Sequence, residues 1–244
     1  MAAAMARGWA AGPGGPEYML FRDLDERRAS ALAAEVGGAT RPSLPELARD
    51  CDVVVLAVKP AALETVAEEL GGRAPALVSV LAVTPMSRIA GAFPGVPLLR
   101  VMPNQPVEVR HGVLCHAPPV SMEDELHEEL LELLSVLGAL VEVPESQIDA
   151  AMAIMSSSPA YIALVAEALA NGGEREGLDP GLAGELVAGA LAGTAELLRH
   201  RDAVTIRHAV APPGGATEAG LAQLEGVVED ALVSAVHASL ERFR

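Results

Sequence analysis

Three short segments combine residue types that can hold a ligand. The run DVVVLAVKP ends an apolar strand pattern on Ala57, Val58, Lys59 and Pro60, and Lys59 is the only lysine among 244 residues. At a strand end it reads either as a solvated residue or as a cation facing a ligand. In VPLLRVMPNQP, prolines flank Asn104 and Gln105, so Met102, Pro103 and Asn104 form a stiff loop. That loop is either an ordinary Pro-bounded turn or a frame that fixes amide groups toward a ligand. In VAPPGGATEAGLAQLE, Pro212 and Pro213 precede Gly214, Gly215, Ala216 and Thr217 at the start of a long helical pattern. Glycines before a helix expose backbone N–H groups where the dipole favours an anion, and a carboxylate fits there. A tight turn capped by Thr217 is the alternative.

Other chemistries find little support. The six histidines lack zinc-protease spacing, there is no Gly-x-Ser-x-Gly elbow, and no metal site is expected. Two cysteines, Cys51 and Cys115, give neither a disulfide framework nor a thiolate metal site, which points to a reducing cytoplasm. A net charge of −16 argues against nucleic acid or an anionic membrane surface as partner. The apolar stretch 150–170 is interrupted by Ser156, Ser157, Ser158, Pro159 and Glu167, so no membrane span is expected.

The elements that must carry these segments fall into two parts. From YMLF to ALVEV, short β-rich runs alternate with amphipathic helical patterns such as DERRASALAAEV and PAALETVAEEL. That alternation predicts βαβ units and a parallel, Rossmann-like sheet, whose ligands bind beyond the carboxyl ends of the strands. After Pro144 the β-branched clusters vanish and Ala-, Leu- and Gly-rich helical patterns run to the end. The expected organisation is a Rossmann-like α/β domain over 1–144 and an all-α domain over 145–244. Aromatic residues make up only 2%, which favours close helix packing through small side chains. The apolar faces in AYIALVAEALA and EDALVSAVHASL exceed what the α/β part can cover, so a subunit interface is expected in the second half.

Taken in order, MAAAMARGW, VVVLAVKP, RVMPNQP, SSSPAY, ALANGGEREGL and PPGGATEAGL resemble the pyrroline-5-carboxylate reductase family over essentially the whole chain. The resemblance implies an NAD(P)-binding Rossmann-like domain followed by a helical dimerisation and substrate domain. It also implies reduction of a cyclic imine, 1-pyrroline-5-carboxylate, to proline by NADPH or NADH, within a homodimer or higher homo-oligomer. Carried over by motif, Ala57, Val58, Lys59 and Pro60 border the cofactor, and Met102, Pro103 and Asn104 lie near the nicotinamide. Gly214, Gly215, Ala216 and Thr217 hold the substrate, with Thr217 as the candidate catalytic proton-positioning group. Arg22, after the YMLF strand, suits a 2′-phosphate, whereas adjacent Asp23 suits a ribose diol; Arg22 tips the expectation toward NADPH.

The resemblance also sets expectations at the start of the chain. No secretory signal is expected in the opening 20 residues, because Arg7 interrupts them and no cleavage pattern follows. Met1 aligns with the Met that closes the family's Gly-x-Gly-Asn-Met loop, so a first strand and Gly-rich loop are expected to be missing, as in an N-terminally truncated member. Where the family usually has Ser-Gly-Ser-Gly before Pro-Ala-Tyr, this chain has Met155, Ser156, Ser157 and Ser158. An imine reductase acting on another cyclic imine, or a catalytically impaired dimerisation protein, are the alternatives.

Overall fold

The structure is a computed structural model and describes residues 1–243. The chain divides into two compact units, Met1–Ser157 with the segment from Leu240, and Ser158–Ser239.

The first unit opens with α1 (Ala2–Ala10), which buries Met5 and Trp9. Gly8 lets this helix lie against the segment Gln105–Val109: a Cβ there would stand 2.1 Å from the Val107 carbonyl oxygen. Next come β1 (Leu20–Phe21), α2 (Glu26–Val36) and β2 (Ala39–Thr40). Asp25 caps α2 by accepting from Arg27 N–H, and Gly37 ends it in the left-handed conformation at φ 74°. The helix α3 (Leu44–Arg49), not anticipated from the sequence, starts from the N-cap Ser43, whose hydroxyl accepts from Glu46 N–H and donates to the Glu46 carboxylate.

The remaining elements of this unit are β3 (Val54–Leu56), α4 (Leu63–Leu70), β4 (Leu77–Ser79), α5 (Met86–Ala92), β5 (Leu98–Pro103), β6 (Gly112–His116), α6 (Asp124–Ser135), β7 (Gly138–Glu142) and α7 (Ile148–Met155). The strands form two sheets: β1–β2, parallel, and a five-stranded sheet in the order β3-β4-β5-β6-β7. The expectation of an all-parallel sheet is corrected at one place, since β5 and β6 are antiparallel. Only residues 104–111 join them, too short a link for the crossover that a parallel pair needs.

Helices cover both faces of the five-stranded sheet, and β5 shows how the strand period sorts its side chains. Leu98 and Met102 enter one core with Leu63, Ile89 and Ile148, while Leu99 and Val101 enter the other with Met5, Leu130 and Leu134.

His116, at the end of β6, is buried, and its ring meets His127 of α6 edge to face at 6.1 Å between centroids. Burial pushes its pKa below the usual 6.5; Glu142 opposes this and His127 adds to it. The unfolded chain therefore binds the proton more readily, and the folded state should lose stability as pH falls from about 7 to about 5. Urea midpoints measured across that range should show the slope, and His116→Leu should flatten it. An unchanged slope in the variant would assign it to other groups.

The second unit is helical: α8 (Ser158–Arg175), α9 (Pro180–Leu197), α10 (Ala203–Val210), α11 (Ala216–Leu221) and α12 (Val227–Phe243), the last continuing past Ser239. Asp179 and Asp202 cap α9 and α10. The helix after PPGGAT is short rather than long: it stops at Leu221, and Gly226 at φ 79° turns the chain before α12. By length and composition alone, the stretch Glu145–Arg175 could cross a membrane. Its α7 portion is instead a core helix of the first unit, with Ile148, Met152, Ala153 and Met155 buried.

Candidate functional site

In the first unit, the residues marked by sequence stand at strand ends. Ala57, Val58, Lys59 and Pro60 follow β3; Val58 and Lys59 are exposed, and Lys59 opens the single turn Pro60–Ala62 from an extended conformation. A cation on an exposed turn after a buried parallel strand is free to meet an anionic ligand.

Met102 and Pro103 are buried at the end of β5, and Asn104 is only 7% exposed. The Asn104 amide has a structural role: Nδ2 donates to the Met155 carbonyl at 3.1 Å, and Oδ1 accepts from Val113 N–H at 2.9 Å. It ties the β5 end to β6 and to the end of α7, which leaves one Nδ2 N–H and one Oδ1 lone pair over. The neighbouring Gln105 donates to the Glu108 carboxylate at 2.7 Å.

Arg22 follows β1 and lines a groove shared with Asp23, Glu26, Ser30, Thr40 and Arg41. Its Nη1 donates to the Asp23 carbonyl, and its Nε is buried without a hydrogen-bond partner among the described residues. A buried unpaired guanidinium N–H suits an anionic group. Sequence reasoning missed Arg41. The readable signal was the pairing of two very short strands, which only the register supplies.

In the second unit, Gly214 adopts φ 77° and Gly215 is the N-cap of α11, with no side-chain cap. Thr217 is therefore not the cap of this helix; it lies exposed within its first turn. Gly214 N–H donates to the Glu218 carboxylate at 2.7 Å, and Gly215 N–H to the Pro212 carbonyl at 3.0 Å. A carboxylate thus already sits on this turn, supplied by the chain itself. It marks the backbone there as able to receive a carboxylate. Among the described residues no group of three or more His, Cys, Asp or Glu side chains could hold a metal ion.

Comparison with known proteins gives a consistent result. The family described as pyrroline-5-carboxylate reductase dimerisation matches residues 145–244, and the family described as NADP oxidoreductase, coenzyme F420-dependent, matches residues 1–83. A pyrroline-5-carboxylate reductase of Synechocystis is 35% identical over 93% of this chain and 87% of its own length. The solved pyrroline-5-carboxylate reductase of Streptococcus pyogenes is 27% identical and superimposes with a TM-score of 0.87, covering 100% of this chain and 94% of that one. A Plasmodium falciparum pyrroline carboxylate reductase solved with NADP bound shares the fold at a TM-score of 0.86 and 24% identity, over 99% and 92% of the two chains.

Proposed function

The chain belongs to the pyrroline-5-carboxylate reductase family, and from that membership we propose how its own residues serve the reaction. It is an NAD(P)H-dependent reductase, and the nicotinamide, when bound, supplies the hydride that converts 1-pyrroline-5-carboxylate to proline. The observation that carries the reading is the likeness along nearly the whole chain, which spans both units. The family's dimerisation match over residues 145–244 supports a homo-oligomer, and a homodimer is the form we favour. Dinucleotide binding is assigned to residues 1–144, dimerisation and substrate capture to residues 145–244. A role in proline biosynthesis in the cytoplasm follows from the same reading.

Within the first unit, Ala57, Val58, Lys59 and Pro60 would border the cofactor, Met102, Pro103 and Asn104 would pack near its reactive ring, and Arg22 would meet its adenosine end. Asn104 serves there by locking the backbone, since both ends of its amide are engaged. In the second unit the turn Gly214, Gly215, Ala216 and Thr217 would take the substrate carboxylate in place of the Glu218 side chain that now occupies Gly214 N–H. The Thr217 hydroxyl, exposed on that turn, would hold the proton at the imine nitrogen. The protein's contribution is orientation and exclusion of water, so no strong acid–base pair is needed.

The test is NADPH oxidation in the presence of 1-pyrroline-5-carboxylate, with proline identified as product. Thr217→Ala should lower kcat about 100-fold, in the range reported for removal of one proton-transfer or transition-state hydrogen-bonding group. Its melting temperature should not move, because the side chain is exposed and caps nothing. Thr217→Ser, which keeps the hydroxyl, should restore most of the rate. Wild-type turnover in Thr217→Ala would remove this residue from the mechanism.

A further inference from the structure

Val83 adopts φ 54°, in the left-handed region, within the turn between β4 and α5. For a β-branched residue this conformation is an outlier, because the branched Cβ crowds the backbone, and such strain persists only where the surroundings enforce it. Here they do. Before the turn, Val80 N–H donates to the Leu56 carbonyl at 3.1 Å and Leu81 is buried in the core. After it, Thr84 is fully buried with its hydroxyl donating to the Ala82 carbonyl at 3.0 Å, and Met86 N–H is held by Glu145. Between these anchors the Val83 side chain is left 42% exposed. Valine packing within the fold therefore does little to offset the strain of placing it there. Arg110 and Ser121 also have positive φ among the described residues, but neither is β-branched.

The register shows what Val83 stands beside. β3, β4 and β5 are parallel neighbours, with Leu56, Ser79 and Arg100 in one row. Pro60, Val83 and Asn104 each follow four residues beyond that row. Val83 thus stands between the Lys59–Pro60 turn and the Met102–Asn104 segment, beyond the carboxyl ends of parallel strands, where open α/β sheets bind ligands. The reductase reading, on which the proposal rests, sets the cofactor against both flanking segments. On this rim Lys59 offers a charge and Val83 an exposed hydrocarbon. Hydride transfer needs two bound molecules oriented and water kept out, and a branched apolar group fixed on a rigid turn supplies both against a flat ring.

We propose that the Val83 side chain packs on the nicotinamide ring when the dinucleotide is bound, orienting the ring and shielding it from water. The strained backbone is the stability given up for that placement.

The test pairs stability with cofactor fluorescence in the full chain. Val83→Gly accepts the left-handed conformation without a Cβ, and Val83→Asn accepts it with a polar side chain of similar size. Without cofactor, Val83→Gly should melt about 2–4 °C above the wild-type chain, and Val83→Asn no lower than it. At saturating NADPH, the emission of the bound reduced nicotinamide, which water quenches and an apolar site enhances, should be weaker in both variants. Their kcat for 1-pyrroline-5-carboxylate should fall about 10- to 100-fold, the scale of a misplaced reactant. Binding of adenosine 5′-diphosphate, which lacks the ring, should be unchanged. Wild-type emission and turnover in Val83→Gly would overturn the proposal, as would a wild-type chain that gives bound NADPH no enhanced emission. Melting temperatures lowered in both variants would overturn it too, since valine would then be kept there for packing. Variants that lose ring emission, in a chain whose wild-type form reduces no 1-pyrroline-5-carboxylate, would leave the proposal standing and remove the reductase reading.

Discussion

Replacing Glu145 by alanine should cost the first unit about 3–5 kcal/mol of stability, the range for breaking a buried ion pair from one side. The cause lies on β5, where Arg100 occupies a strand position that is only 2% exposed. Its Nη1 donates to Glu145 Oε1 at 2.6 Å, and Asp149 approaches its Nη2 at 3.6 Å. The same Glu145 oxygen accepts from Met86 N–H at 2.8 Å, at the start of α5. One carboxylate therefore serves a buried cation and a helix N-terminus together. Without it the guanidinium stays charged in the core, as arginine does in proteins, with a single acid beyond hydrogen-bond range. The Met86 donor is orphaned as well.

The reverse substitution should be milder. Arg100→Met removes the buried charge itself, and Glu145, whose side chain is 37% exposed, keeps its Oε1 on Met86 N–H. Against a total of about 5–15 kcal/mol for a typical domain, the first change is a large fraction and the second a small one. Denaturant midpoints for the two variants and for Glu145→Gln, which keeps an acceptor for Met86, give the comparison. Equal losses from Glu145→Ala and Arg100→Met would mean that the ion pair is no more than an exposed contact.

How far this was legible in the sequence depends on whether the signal was local. The cap of α2 at Asp25 and its stop at Gly37 could be read directly, as could the buried run of β5. The Ser43 cap of α3, with Glu46 three residues on and Pro45 between them, also carries a local helix-start signature. The two-residue strands β1 and β2 have no periodicity to find, so the adjacency of Arg22 and Arg41 came only from their pairing. The reversal at β5–β6 is set by the shortness of the link between them, not by any residue type. At Asn104 the polar type between prolines suggested a ligand contact, and the fold adds a role no sequence pattern shows: one internal hydrogen bond at each end of its amide. The glycine turn before α11 was correctly placed at a helix start, but Thr217 as a cap was not: Gly215 takes that position, and the helix ends within six residues.

Placing glutamates at Leu169 and Leu186 together should convert the protein to a monomer and abolish most of its activity. In the second unit the large apolar side chains are largely uncovered: Ile162, Val165 and Leu169 on α8 are 52%, 40% and 53% exposed, and Leu182 and Leu186 on α9 are 45% and 54% exposed. On α8 these three follow i, i+3 and i+7, and on α9 the pair follows i and i+4, so each helix presents a stripe rather than scattered contacts. An uncovered patch of this kind marks an association surface, and the family's dimerisation match covers both helices. Burying even the exposed half of each of these five side chains would contribute about 4–8 kcal/mol, from about 1.5–3 kcal/mol for a fully buried one. Two carboxylates set into that surface would have to be desolvated without partners, a penalty of several kcal/mol each that association cannot offset. Light scattering should find the wild-type chain as a homo-oligomer and the double variant at the mass of one chain. Far-ultraviolet circular dichroism should keep its helical signal, since neither side chain is buried in its own unit. A double variant that still associates with wild-type affinity would move the interface away from α8 and α9, to the exposed apolar residues of α12 such as Val228 and Leu232.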